Sequence, residues 1–295
     1  MQAHRSAHRQ GPEEPLHHVG IITSSLIDSQ DMTSARMPAL YLPHGGGPSF
    51  FMTGDRKAMF QGMEDFLRQV PSLLPSLPSA ILIVTAHWET VSLRLTGSAR
   101  PELIYDYYGF PPETYQLRYD APGEPDLAQR AANLLADHGF DAQVDPSYGW
   151  DHGVFIPLKV IYPHADVPVV AMSLQAGLDP ELHCRAGRAL SPLRDEGVLI
   201  IGSGMSYHNL RQFVAAAPAS FAFHQWLDDA LAGDWNQRTR QLARWDEAPG
   251  GRMSHPREEH LLPLMVASGA GSDLAGRRLW QGPVGPSVAA AWAFD

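Results

Sequence analysis

Residues 80–89 read AILIVTAHWE. The first six are apolar apart from Thr85 and lack the alternation of a half-exposed strand, so they fit a strand covered on both faces of a sheet. Ala39–Leu42, Val169–Ser173 and Val198–Ile201 have the same character. Between these runs Lys57–Val70, Pro125–Ala136, Pro180–Leu190 and Phe221–Leu231 read as helices. Asp179-Pro180 supplies an N-cap and a first-turn proline for the third of them. Strands alternating with longer helices predict one α/β domain with a central mixed, largely parallel sheet flanked by helices. In such sheets ligands collect at the C-terminal ends of the strands, so an active site is expected there.

The chain has 295 residues, enough to bury one large core, and residues 37–295 are expected to form that domain. Its formal charge of −10, from 22 basic and 32 acidic residues, argues against a nucleic-acid partner, which needs a basic surface. No apolar run approaches the roughly 20 residues of a membrane span, so no membrane partner is expected. The lone cysteine, Cys184, cannot form an intrachain disulfide; a buried structural thiol in a cytoplasmic protein is the expectation. Residues 1–36 are polar, and their one apolar patch, Val19–Ile22, is too short for a signal-peptide core. That segment reads as a disordered extension, with His4, His8, His17 and His18 solvated and Met32 and Met37 as alternative starts to Met1.

The informative feature is where the other histidines fall. His44 follows YLP, His87 follows ILIVTA and His208 follows LIIGSGMSY, each just beyond an expected strand. Loops at such ends are freed from the ladder while the sheet holds their roots, so the three rings can converge. His152, in WDHG, and the segment HPREEH, residues 255–260, open apolar helical stretches and add to the set. Each has a plainer reading: HGGGP as a tight turn ended by Pro48, His87 as a strand-end ring covered by Trp88, and His152 as a cap for the next helix. HPREEH also reads as an ordinary helix start, with His255 at the cap, Pro256 at the first position, and Glu258 and Glu259 favoured by the helix dipole. On the functional reading, Glu89 orients the His87 imidazole and Trp88 builds a dry wall beside it.

His44, His87 and His260 together would make a neutral three-nitrogen set suited to Fe(II) or Zn(II), with positions left for a substrate. If Glu258 or Glu259 binds instead, the set becomes two histidines and a carboxylate. H-E-x-x-H, CxxC, G-x-S-x-G, Walker and G-x-G-x-x-G patterns are absent, which removes support from common hydrolase and nucleotide-enzyme readings. Tyr105–Pro125 is too broken for regular structure and too aromatic for a linker; it reads as a lid or pocket wall. Tyr107, Tyr108 and Phe110, with Phe155, are the expected walls of the pocket.

Taken in order, the blocks YLPHGGGPSFF, TAHWE, IYDYYGFP, YDAPGEPDLA, GWDHGVFIPL, YPHADVPVV, GSGMSYHNL and HPREEHLLPL resemble the LigB-type extradiol ring-opening dioxygenases, in the branch of 4,5-DOPA dioxygenase-like proteins. The resemblance spans about residues 38–295. It implies that His44, His87 and His260 bind the metal, and that His152 and His208 are acid–base residues on the substrate side. The protocatechuate-cleaving branch has a glutamate as third ligand; the adjacent Glu259-His260 pair follows the other branch. The implied reaction inserts both atoms of O2 into a catechol-type substrate with Fe(II), His208 taking a hydroxyl proton and His152 returning one during ring opening. The alternatives are a zinc-dependent hydrolase, since three histidines on Zn(II) also activate water, and a silent protein that binds a metal or small ligand.

Overall fold

The computed structural model describes residues 36–212 and 217–295. The segment expected to be a disordered extension lies, apart from Arg36, outside the described residues. The strands are β1 (Ala39–Pro43), β2 (Ala80–Thr90), β3 (Leu93–Thr96), β4 (Ala142–Asp145), β5 (Val169–Gln175), β6 (Val198–Gly204), β7 (Arg277–Val284) and β8 (Ser287–Phe294). The helices are α1 (Gly54–Gln69), α2 (Pro125–Asp137), α3 (His152–Ile161), α4 (Pro180–Leu190), α5 (Ala217–Leu231), α6 (Trp235–Leu242), α7 (Gly251–Ser254) and α8 (Leu262–Ala270). Among the described residues no helix is long and apolar enough to cross a membrane.

The strands form one sheet in the order β4-β3-β5-β2-β6-β1-β8-β7. Its centre is parallel, β2 pairing with both β5 and β6, and β6 with β1; β8 then runs antiparallel to β1, and β7 to β8. Successive residues of a strand face opposite sides. Accordingly Leu82, Val84 and Ile200 join one core with α2, α4, α5 and α8, while Ile81, Ile83 and Ile201 join another with α1 and α3. Both faces of the central strands are covered, which explains their unbroken apolar runs.

Several elements differ from the sequence reading. β8, SVAAAWAF, is fully buried yet rich in alanine, a poor strand former, so propensity hides it. β7 contains Pro283, tolerated because it is the edge strand. β3 and β4 are four residues each, too short for a periodic signal. HPREEH is not a helix start: His255 ends α7, and α8 begins only at Leu262, with Pro263 in its first turn. Cys184 is fully buried on α4, and burial pushes its thiol up to about 12, leaving it an inert packing group.

Candidate metal centre

β2, β6 and β1 are neighbours, and their C-terminal ends deliver three of the rings to one place. His44 follows β1, where Gly45 and Gly47 adopt φ of 81° and 58°, a left-handed backbone that glycine takes without strain. His87 lies within β2 rather than beyond it, because β2 runs on to Thr90. Its register with β5 shifts between Val84 and Glu89, and such a bulge re-aims side chains. His208 follows β6, its backbone N–H donating to the Ser254 carbonyl at 2.9 Å. His152 opens α3, but the cap is Asp151, whose carboxylate accepts from the Gly153 N–H; His152 is not the cap. The His260 carbonyl accepts from the Tyr41 hydroxyl at 2.9 Å and from the Met205 N–H at 3.1 Å. Gly204 permits that approach, since a Cβ there would collide with the same carbonyl.

All five rings line a cavity of about 880 Å³, together with Tyr107, Tyr108, Phe110, Arg56 and Leu210. Phe155 is a correction: it is fully buried behind Tyr105 and Tyr107 and does not line the cavity, because α3 turns that position into the core. Glu89 is another. It accepts from Arg257 at 2.5 and 2.6 Å, tying the HPREEH loop to β2, and does not orient His87. Trp88 faces away and stacks on Tyr148 at 3.9 Å.

What orients the rings is a set of acceptors at Nδ1. Asp106 accepts from His152 Nδ1 at 2.8 Å and from His87 Nδ1 at 3.2 Å. Glu259 accepts from His260 Nδ1 at 3.0 Å and faces His208 Nδ1 at 3.4 Å. Ser203 gives its own proton to the Gly153 carbonyl, so at 3.1 Å it accepts from His44 Nδ1. With every Nδ1 protonated, every neutral ring keeps its lone pair on Nε2. The Nε2 atoms of His44 and His87 lie 3.3 Å apart, and two lone pairs at that distance repel unless a proton or a metal ion lies between them. Asp106 was missed in the sequence because it sits inside an aromatic run, IYDYYGFP, with no spacing that ties it to a histidine.

The donor set fits a metal ion. Three imidazoles bound through one nitrogen each at about 2.1 Å place their ring centroids roughly 4.5–5.2 Å apart. The centroids of His44, His87 and His260 are 5.0, 4.9 and 5.2 Å apart. By ligand-atom positions alone the sets within 4.8 Å are different ones, His44 with His87 and His152, and His208 with Glu259 and His260. The centroids of His87 and His152 are only 4.0 Å apart, however, too close for both to bind one ion. Glu258 pairs with Arg252 at 2.9 Å, and Glu259 serves the two Nδ1 atoms, so both glutamates are engaged elsewhere.

The charges follow from burial. Burial first, then the neighbouring imidazoles, holds His44 and His260 well below the ordinary imidazole value, so both stay neutral. Burial also lowers His152, with the Asp106 hydrogen bond opposing it. For His87 the lowering by burial is outweighed by Asp106 and nearby carboxylates, and the net direction is up. Burial raises Asp106, but its hydrogen bonds from His152 and His87 outweigh that and hold it well below the usual carboxylate range.

Three further buried histidines are structural. His183 donates to the Asp179 carbonyl, His255 reaches the Ser206 carbonyl, and His224 spans the Ser220 carbonyl at 2.6 Å and Ser206 Oγ at 2.8 Å. Burial, only partly opposed by that carbonyl, lowers His224 to about 4. The sign is therefore fixed: above the free imidazole value of about 6.5 neither state is charged, and below it only the unfolded chain takes up the proton. Stability falls from about pH 6.5 until His224 itself protonates near 4. Urea unfolding at pH 7.5 and 4.5 should show H224Q losing less over this interval than the parent, by on the order of 2 to 3 kcal/mol. An identical pH dependence in both proteins would sink this account.

The family model for the catalytic LigB subunit of aromatic ring-opening dioxygenase matches residues 38–284. The dioxygenase tasH of Hapsidospora irregularis is 40% identical over 252 residues, covering 79% of this chain and 78% of its own. The 4,5-DOPA dioxygenase extradiol of Beta vulgaris is 42% identical over 202 residues, 66% of this chain and 74% of its own. Its namesake in Escherichia coli K12 is 34% identical over 250 residues, 83% and 89% respectively. The crystal structure of an uncharacterized protein from Escherichia coli K12 aligns with a TM-score of 0.71 at 30% identity, covering 88% of this chain and 100% of that one.

Proposed function

This chain belongs to the LigB family of aromatic ring-opening dioxygenases, extradiol enzymes of the oxidoreductase class, and from that premise we propose that it opens a catechol-type ring with Fe(II) held by His44, His87 and His260. Residues 37–295 are the catalytic domain on this reading. The observation that carries the ligand assignment is the spacing of these three rings, near 5 Å for every pair, with each Nδ1 held by an acceptor. When bound, ferrous iron supplies the redox chemistry that joins O2 to a chelated diol, which zinc cannot do.

The chain's own residues manage protons and position. His208 keeps its lone pair on Nε2, and Glu259 beside Nδ1 stabilises the imidazolium that forms when it takes a proton from a substrate hydroxyl. His152 also rests with a free Nε2, Asp106 holding its other side. Burial keeps its basicity low, so a proton received at Nε2 is readily given back to an oxygen during ring opening. Tyr107, Tyr108 and Phe110 supply aromatic wall for a flat ring. DOPA heads the candidate substrates, because relatives in Beta vulgaris and Escherichia coli are named for it.

The test is oxygen uptake by protein reconstituted anaerobically with Fe(II) and given a panel of catechols that includes DOPA, with the absorbance spectrum recorded throughout. A yellow ring-opened product that requires iron and fails with Zn(II) is the expected outcome. Tight metal binding with neither uptake nor product across the panel would instead favour a zinc hydrolase or a silent binder.

A further inference from the structure

We propose that Asp106 and Glu259 are positioning residues, each holding one metal-binding ring and one proton-transferring ring through a shared carboxylate. The proposal rests on the ligand assignment above. Asp106 pairs His87 with His152, and Glu259 pairs His260 with His208. Each carboxylate fixes two tautomers at once, so the nitrogen that binds metal and the nitrogen that moves a proton are set by a single side chain.

The two carboxylates do this differently. Asp106 uses both oxygens: Oδ1 accepts from the His152 backbone N–H and Nδ1, each at 2.8 Å, and Oδ2 accepts from His87 Nδ1 at 3.2 Å. Glu259 turns one oxygen, Oε1, to both its rings, 3.0 Å from His260 Nδ1 and 3.4 Å from His208 Nδ1. Its Oε2 lies 3.5 Å from Arg257, a guanidinium already held by Glu89.

A neutral amide therefore affects the two sites unequally. Asparagine at 106 offers one acceptor and one donor, so one Nδ1–H must face an NH2 group and its ring turns or changes tautomer. Glutamine at 259 can leave its carbonyl oxygen where Oε1 stands, serving both rings, with its NH2 on the side of the satisfied Arg257. If charge rather than hydrogen-bond placement mattered, the two amides would be equally damaging.

The experiment measures Zn(II) affinity of the apoprotein by competition with a chromophoric chelator, for D106N, E259Q, E259A and H87A. Spectra of 15N-histidine in the Zn(II)-loaded protein report the Nδ1-protonated tautomers alongside. D106N should lose about 10- to 100-fold in affinity and change the signal of one Asp106-bound ring, the range expected for an outer partner of a ligand. E259Q should stay within a few-fold of the parent with its tautomers intact, and E259A should fall as D106N does. Urea unfolding of the apo-variants separates this from general damage; if D106N does not fold, the contrast between E259Q and E259A carries the test. Parental affinity in D106N, or equal losses in E259Q and D106N, would overturn the proposal. H87A distinguishes the two levels: metal retained in H87A refutes the ligand assignment, whereas metal lost in H87A but held by D106N refutes only the shared-carboxylate role.

Discussion

His87→Ala is expected to release the metal, with affinity for Zn(II) or Fe(II) falling by more than the roughly 100-fold that marks loss of an outer partner. The reason is geometric. His87 is one corner of a near-equilateral set, its ring centroid 5.0 Å from that of His44 and 4.9 Å from that of His260, which are themselves 5.2 Å apart, so its loss removes one of only three donors. Alanine supplies no donor in place of the lost imidazole. Glu89 is held by Arg257 and Trp88 is stacked on Tyr148, so neither is available as a substitute. Metal content after gel filtration, read by elemental analysis, checks this directly. A second readout is thermal unfolding: binding to the folded state raises stability with metal concentration, so the parent should gain in Tm on adding Zn(II) and H87A should not. Full metal occupancy in H87A would remove His87 from the ligand set and redirect attention to the grouping of His208, Glu259 and His260.

The central sheet was legible because β1, β2, β5 and β6 are covered on both faces and therefore carry unbroken apolar runs. α4 was placed to the residue by Asp179 and Pro180, a cap whose side chain accepts from the Glu181 and Leu182 N–H groups. Legibility failed where the signal is not local. β8 is buried by pairing with β1 and β7, and its alanines say nothing of that partnership. The position of His44 and His208 just beyond strand ends was visible, since it follows from the runs themselves, whereas the apolar run stopped short of the true end of β2 and His87 lies inside that strand. The orientation of the rings was not visible, because it depends on Asp106, Glu259 and Ser203, which come from other segments and meet the rings only in the folded chain. For His87 the sequence offered only the neighbour Glu89, and the sheet instead spends that side chain on the loop that carries His260.

His208→Ala should separate binding from turnover: metal stays, within a few-fold, while kcat falls by about 10²- to 10⁴-fold, the contribution of a positioned general base. His208 stacks on His260, with ring centroids 3.3 Å apart, but lies on the cavity side and is more exposed, its side chain 23% accessible against 6% for His260. Removing it leaves the Nδ1 bond of His260 to Glu259 and both hydrogen bonds to the His260 carbonyl in place, so the ligand keeps its orientation. What disappears is the acceptor for the substrate hydroxyl proton. Two consequences follow from that role and not from mere packing. Activity of the variant should recover in part with added imidazole, which fits the space vacated, and it should rise with pH as the diol loses its proton to solvent. Loss of metal in H208A, with retention in H87A, would exchange the roles assigned to these two rings. A variant that binds metal and turns over at the parental rate would transfer the base to His152, the other ring whose Nε2 faces the cavity without being needed for the ion.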